Sequence, residues 1–146
     1  MTLELGQVEL KQLSQNVEGT YPNEGGGWLI GRVDDRGRKV VTEIRPIENQ
    51  RAVADQHNRI LITDQLYREG EAYADGKDLL LIGFFHSHPD CPARPSEFDR
   101  EHALPWWSYV IVSVQKGQSA EVLSWELRED RSAFAAEPIL IEPNHF

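Results

Sequence analysis

The chain has 146 residues, a formal net charge of −9, 40% hydrophobic residues and a single cysteine. That length supports one domain with a substantial core, and the lone Cys91 excludes an internal disulfide. The acidic balance argues against general affinity for nucleic acid, which needs a basic footprint, and the longest apolar run falls far short of a bilayer span.

Residues 1–142 are therefore expected to form a single domain, with Pro143 to Phe146 as a frayed tail. Met1 to Leu5 lacks the basic start and apolar block of a signal peptide. A cytoplasmic protein without nucleic-acid or membrane partners is the expectation.

In chain order, Leu3 to Leu5 reads as a short strand, and Gln7 to Val17 as an amphipathic helix. Leu10, Leu13 and Val17 fall on one of its faces. Gly19 is expected to end that helix before the turn Thr20 to Asn23. Glu24 then precedes three glycines, Gly25 to Gly27, which open a strand over Trp28 to Val33. The glycines fit a flexible loop, a bulge, or a close approach of another backbone. Asp34 to Arg38 is a hairpin turn, and Lys39 to Ile47 the returning strand. Glu48 to His57 is polar and reads as a loop, followed by a strand-like Ile60-Leu61-Ile62. Asp64 to Asp75 is expected to be helical, capped by Thr63 or Asp64 and stopped by Gly76. Gly70 inside it costs about 1 kcal/mol against alanine.

The most informative stretch follows. Leu79 to Phe85 is a continuous apolar run, the pattern of a strand buried on both faces. It ends in His86-Ser87-His88-Pro89. Side chains two apart on a strand point the same way, so His86 and His88 project together, suited to one metal ion. Pro89 has no N–H for a ladder and helps to stop the strand. Ser96 to Leu104 reads as a short helix, Pro105 to Trp107 as a corner, and Tyr109 to Val114 as a buried strand. Lys116-Gly117 is a turn. Glu121 to Leu127 alternates, with Leu123, Trp125 and Leu127 expected on the inner face, and Ile139 to Ile141 reads as a last strand. The fold class expected is α/β, a mixed β-sheet flanked by helices.

Asp99 lies close enough in sequence to join His86 and His88 on one ion. Two histidines and one aspartate, with the fourth position left to water, form the ligand set of a catalytic zinc rather than a structural one. Each piece has a plainer explanation. A histidine pair at a strand end is also found as ordinary core or surface residues. Ser96-x-x-Asp99 also fits a capping box at a helix start. Cys91 reads as a fourth ligand or as a half-buried loop thiol. His102, one turn beyond Asp99, reads as a partner behind the ligands or as an exposed side chain. Glu24 cannot be placed by spacing alone.

The compound pattern resembles the JAMM signature of the MPN (JAB/MPN) metalloproteases. It comprises Glu24 opening a Gly-rich strand, His86-x-His88-Pro89, and Ser96-x-x-Asp99, and extends over roughly Tyr21 to Val114. The resemblance implies an MPN fold, related to that of cytidine deaminases. It implies Zn2+ held by His86, His88 and Asp99, and catalytic roles for Glu24 as general base and Ser96 as hydrogen-bond donor to the oxyanion. It also implies hydrolysis of an amide bond after the Gly-Gly end of a ubiquitin-like sulfur-carrier protein, releasing a residue such as cysteine. The alternative is an MPN-type binding module whose zinc is structural or inactive without a partner. A nucleoside deaminase would instead need His-x-Glu and Pro-Cys-x-x-Cys, which one cysteine cannot supply.

Overall fold

The computed structural model describes residues 1–48 and 62–143. Strand β1 (Leu3–Gly6) leads into helix α1 (Gln7–Thr20), then β2 (Gly26–Val33) and β3 (Lys39–Pro46). Helix α2 (Asp64–Gly76), strand β4 (Leu80–Pro89) and the short helix α3 (Glu97–His102) follow. β5 (Ser108–Gln115), β6 (Gln118–Leu127), β7 (Phe134–Glu137) and β8 (Ile139–Glu142) complete the described elements. The expected loop over Glu48 to His57 and the strand-like Ile60-Leu61-Ile62 lie, apart from Glu48 and Ile62, outside the described residues.

The strands form one mixed sheet in the order β7-β6-β5-β4-β2-β3-β1-β8, so the α/β expectation holds. β4 lies inside it, antiparallel to β2 and parallel to β5. Helix α1 covers one face, where Leu13, Val17, Leu29, Phe85, Val110 and Val112 form a core. On the opposite face Trp28, Ile30, Ala74, Phe84, Tyr109 and Leu127 form a second. Burial on both faces explains why β4 reads as a continuous apolar run and β5 as a largely apolar one.

The order of strands hides a closure. β7 and β8 lie at opposite edges, yet only Pro138 separates them in sequence. The sheet therefore curls until its edges meet, and Leu3 N donates to Pro138 O at 3.0 Å. At this seam Lys39 reaches Glu126 Oε2 at 3.0 Å and Glu137 Oε2 at 3.2 Å. Ser124 Oγ donates to Glu137 Oε1 at 2.8 Å. The side chains of Lys39 and Glu137 are fully buried.

Three expectations need correction. Gly19 does not end α1, which runs on to Thr20; the Thr20 hydroxyl donates to Val17 O at 3.1 Å and tightens the last turn instead. β6 has no single inner face. Leu127 is buried, but so is Ser124 on the other side, while Leu123 and Trp125 are half-buried, because the curled sheet covers both faces of this strand. Strand β7 lies outside the expected elements, since Phe134-Ala-Ala-Glu is short and weakly patterned. Gly70, by contrast, has a packing reason. A Cβ there would stand 2.9 Å from the Trp28 indole.

Candidate metal centre

Alternation along β4 builds the site. Phe84, His86 and His88 share one side, with Phe84 stacked on His86 at 5.9 Å and the two imidazoles 5.1 Å apart. Ser87 points to the other side and is fully buried. Its Oγ accepts from Gly25 N at 2.9 Å, and its amide donates to Gly25 O at 3.0 Å. With Gly26 paired opposite His86, these bonds fasten the start of β2 to the histidine strand. Glu24, the residue that spacing could not place, is thereby brought to the site and buried. The glycines serve close approach. A Cβ on Gly25 would collide with the Thr20 side chain, and one on Gly27 with the backbone of Arg45 and Pro46.

Asp99 arrives from α3. Its Oδ1 lies 3.3 Å from His86 Nε2 and its Oδ2 3.3 Å from His88 Nε2. One ligand atom from each of His86, His88 and Asp99 lies within 4.8 Å of the others. Among the described residues this is the group able to share an ion, so Cys91, which is exposed, stands outside it, as does Glu24. The capping box is formed as well. Asp99 N donates to Ser96 Oγ at 3.1 Å, and Ser96 N donates to Asp99 Oδ2 at 2.8 Å. The two explanations of Ser96-x-x-Asp99 therefore do not exclude each other. The cap aims the carboxylate that faces the histidines.

The donor chemistry fits a metal. His88 Nδ1 lies 3.0 Å from the Pro92 carbonyl, which can only accept, so Nδ1 carries a proton and Nε2 is the nitrogen turned toward Asp99. His86 is 3% exposed, and apart from Asp99 Oδ1 at 3.3 Å from Nε2 neither ring nitrogen has a hydrogen-bond partner. A buried imidazole left so is costly without a partner. Burial opposes ionisation of Asp99, but its contacts with His86 first, then with His88 and the Ser96 amide, hold its carboxyl well below the usual carboxylate range. Two imidazole nitrogens and an ionised carboxylate form a set suited to zinc.

A cavity of about 230 Å³ opens beside this centre. Glu24, His86 and Asp99 line it together with His102, while His88 and Ser96 do not. His102 is exposed and stacks on Phe98 at 4.2 Å, with its Nδ1 2.9 Å from the Phe98 carbonyl. Sequence reasoning missed Ser87, whose only signal is its place between the histidines, and the cavity residues Tyr67 and Tyr109, which arrive from distant elements.

Comparison with known proteins now bears on this geometry. The family described as prokaryotic homologs of the JAB domain matches residues 7–128. The chain belongs to that family. No curated protein sequence matches it. A solution structure from Salinibacter ruber is 37% identical, covering 97% of this JAB-domain chain and 92% of that chain, with a TM-score of 0.75. A solution structure from Desulfitobacterium hafniense is 23% identical at a TM-score of 0.83, covering 98% of this chain and 94% of that one. A structure described as JAMM, a metalloprotease-like zinc site in the proteasome and signalosome, shares the fold at 15% identity and a TM-score of 0.57, over 97% and 99% of the two chains. The MPN fold expected from the JAMM-like residues is thus the fold of this chain. Among its described residues, no helix is long and apolar enough to cross a membrane.

Proposed function

We propose that this JAB-domain chain is a zinc-dependent peptidase that hydrolyses the amide bond after the Gly-Gly end of a ubiquitin-like sulfur-carrier protein. One observation carries the reading. The nitrogens of His86 and His88 and the Asp99 carboxylate converge, and the buried Glu24 lines the cavity beside them. Zinc bound there would supply Lewis acidity, polarising a carbonyl and acidifying water. The rest falls to the chain. The Glu24 carboxylate accepts a proton from the attacking water and delivers it to the amine nitrogen as the C–N bond breaks. The Ser96 hydroxyl accepts from the Asp99 amide, which leaves its own hydrogen to donate to the carbonyl oxygen as charge develops. The Pro92 carbonyl fixes His88, and the cap fixes Asp99. The sulfur-carrier assignment is supported by the compactness of the family region, which spans residues 7–128.

The test gives zinc-loaded protein and its Glu24→Gln variant a sulfur-carrier protein extended by one residue after Gly-Gly, and follows product mass. Wild type is expected to trim the extension. The variant, zinc still bound, is expected to lose at least about 100-fold in rate. Zinc binding with an intact substrate in both would sink the sulfur-carrier reading, and would favour ubiquitin-like isopeptides, a missing activating partner or a binding module.

A further inference from the structure

Beyond Glu24 and the ligands, the walls of the cavity are Ile62, Tyr67, Phe84, Phe98 and Tyr109, with Asp64 as a further polar residue. These come from the entry to α2, from α2 itself, from β4, from α3 and from β5, so a cup of apolar and aromatic surface is assembled by five segments. It is firmly backed. Tyr67 lies 5.3 Å from the Trp28 ring and 5.4 Å from Trp107, and Tyr109 is 6.4 Å from Trp107. The Tyr109 hydroxyl accepts from Leu104 N at 2.7 Å. The cavity is large for what the proposed cleavage places there. A diglycine end carries no side chain, whereas about 150 Å³ already holds a benzene ring, and this space is about 230 Å³. Its polar lining is Glu24, Asp64 and Asp99 with His86 and His102, and none of the described lining residues is Lys or Arg.

We infer that this cavity is the subsite for the side chain of the residue released beyond Gly-Gly, and that it takes a large uncharged side chain, aromatic above all, and rejects an acidic one. The inference rests on the proposed cleavage for its direction, because only the leaving side of a diglycine bond brings a side chain. It makes the released residue bulkier than cysteine. Ile62, Tyr67 and Phe98 are its specificity-determining residues. Shape and apolar lining favour an aromatic ring. A carboxylate entering would face Glu24 and Asp64.

Two measurements test it. Metal-free protein is titrated with p-cresol and with p-hydroxybenzoate, and amide shifts are followed by NMR. p-Cresol is expected to shift residues around Tyr67, Phe98 and Tyr109, p-hydroxybenzoate to leave them in place, and Ile62→Trp to weaken the p-cresol response at least about 10-fold by filling the cavity. Zinc-loaded protein is then given carriers ending in Gly-Gly-Phe, Gly-Gly-Ala and Gly-Gly-Glu. The kcat/KM ratio of Phe to Ala is expected at about 30-fold or more, Glu is expected to be poorest, and Ile62→Trp and Phe98→Leu are expected to shrink the Phe-to-Ala ratio. Failure of p-cresol to bind, or equal binding of both probes, overturns the inference whatever is hydrolysed. Glu24-dependent cleavage with no preference among the three also overturns it and leaves the cleavage reading standing. p-Cresol binding with no carrier cut sinks the cleavage reading and, with it, the assignment to a released residue.

Discussion

Lys39 and His86 are both shut away from water, Lys39 at the seam of the sheet and His86 at the end of β4. Their surroundings differ in one respect. The Lys39 ammonium meets Glu126 and Glu137, and Ser124 takes up a remaining Glu137 oxygen. That cluster holds a lysine cation supplied by the chain. At the end of β4, two imidazoles turn toward one carboxylate at 3.3 Å with no lysine or arginine among them, and His86 Nδ1 has no hydrogen-bond partner. Burial of charge alone therefore does not mark a site. A set of metal-ligating donors that converges on one point does.

Breaking the closed cluster should have the largest effect. Lys39→Met removes the cation, and although Glu126 keeps the amino terminus at 2.6 Å, Glu137 stays buried without a cation, a change expected to cost about 3–5 kcal/mol. Urea denaturation of the metal-free protein checks it. A loss below about 1 kcal/mol would mean that water reaches the seam. Acid probes the same cluster more gently. Burial opposes ionisation of Glu126, but the amino terminus and Lys39 pull its carboxyl below the usual value. A group with a depressed folded pKa stabilises fully above its unfolded value, about 4.3 for glutamate, and loses that contribution as pH falls through the folded value. Stability should therefore fall below about pH 4.3, and less steeply in Lys39→Met.

The open cluster should answer to an ion instead. Zinc at about 100 times its Kd should stabilise the wild type by about 2.7 kcal/mol through binding to the native state. A chelator should reverse the gain, and His88→Ala or Asp99→Asn should abolish it. The same zinc should leave the deficit of Lys39→Met as large as before. Thermal melts with and without zinc would show both, and a gain that survives Asp99→Asn would place the ion elsewhere.

How much of this was legible depends on how far apart the cooperating residues lie. His86 and His88 are two apart on one strand, and Ser96 and Asp99 three apart at one helix start, so local periodicity shows that they act together. Glu24 joins them only through the pairing of β2 with β4, which no spacing encodes. The seam was illegible for the same reason. Lys39 follows a polar hairpin as the first residue of the returning strand, and only closure of the sheet through Pro138 buries it. The aromatic cup is illegible in the sequence too, since Tyr67 and Tyr109 lie 42 positions apart on different elements. What propensity supplied was the list of elements. Gly70 shows the limit of reading them singly, since a penalty in helix propensity is the condition for Trp28 to pack.

Ser96 gives the smallest expected change in stability and sharpens the comparison most, because it serves both the helix and the site. Ser96→Ala removes the side-chain cap on Asp99 N and should cost about 1 kcal/mol. Ser96→Gly should cost only a few tenths, since glycine is tolerated at an N-cap. In both, the Ser96 backbone N–H still bonds Asp99 Oδ2, so zinc affinity should hold. Activity should separate from stability. If the hydroxyl donates to the developing oxyanion, kcat falls about 10²–10³-fold in both variants, although the glycine form is nearly as stable as wild type. If Ser96 only caps the helix, kcat follows stability and the glycine variant works almost normally. Oxyanion stabilisation would then have to come from the ion and its ligands, which would make the cap no more than a device for aiming Asp99.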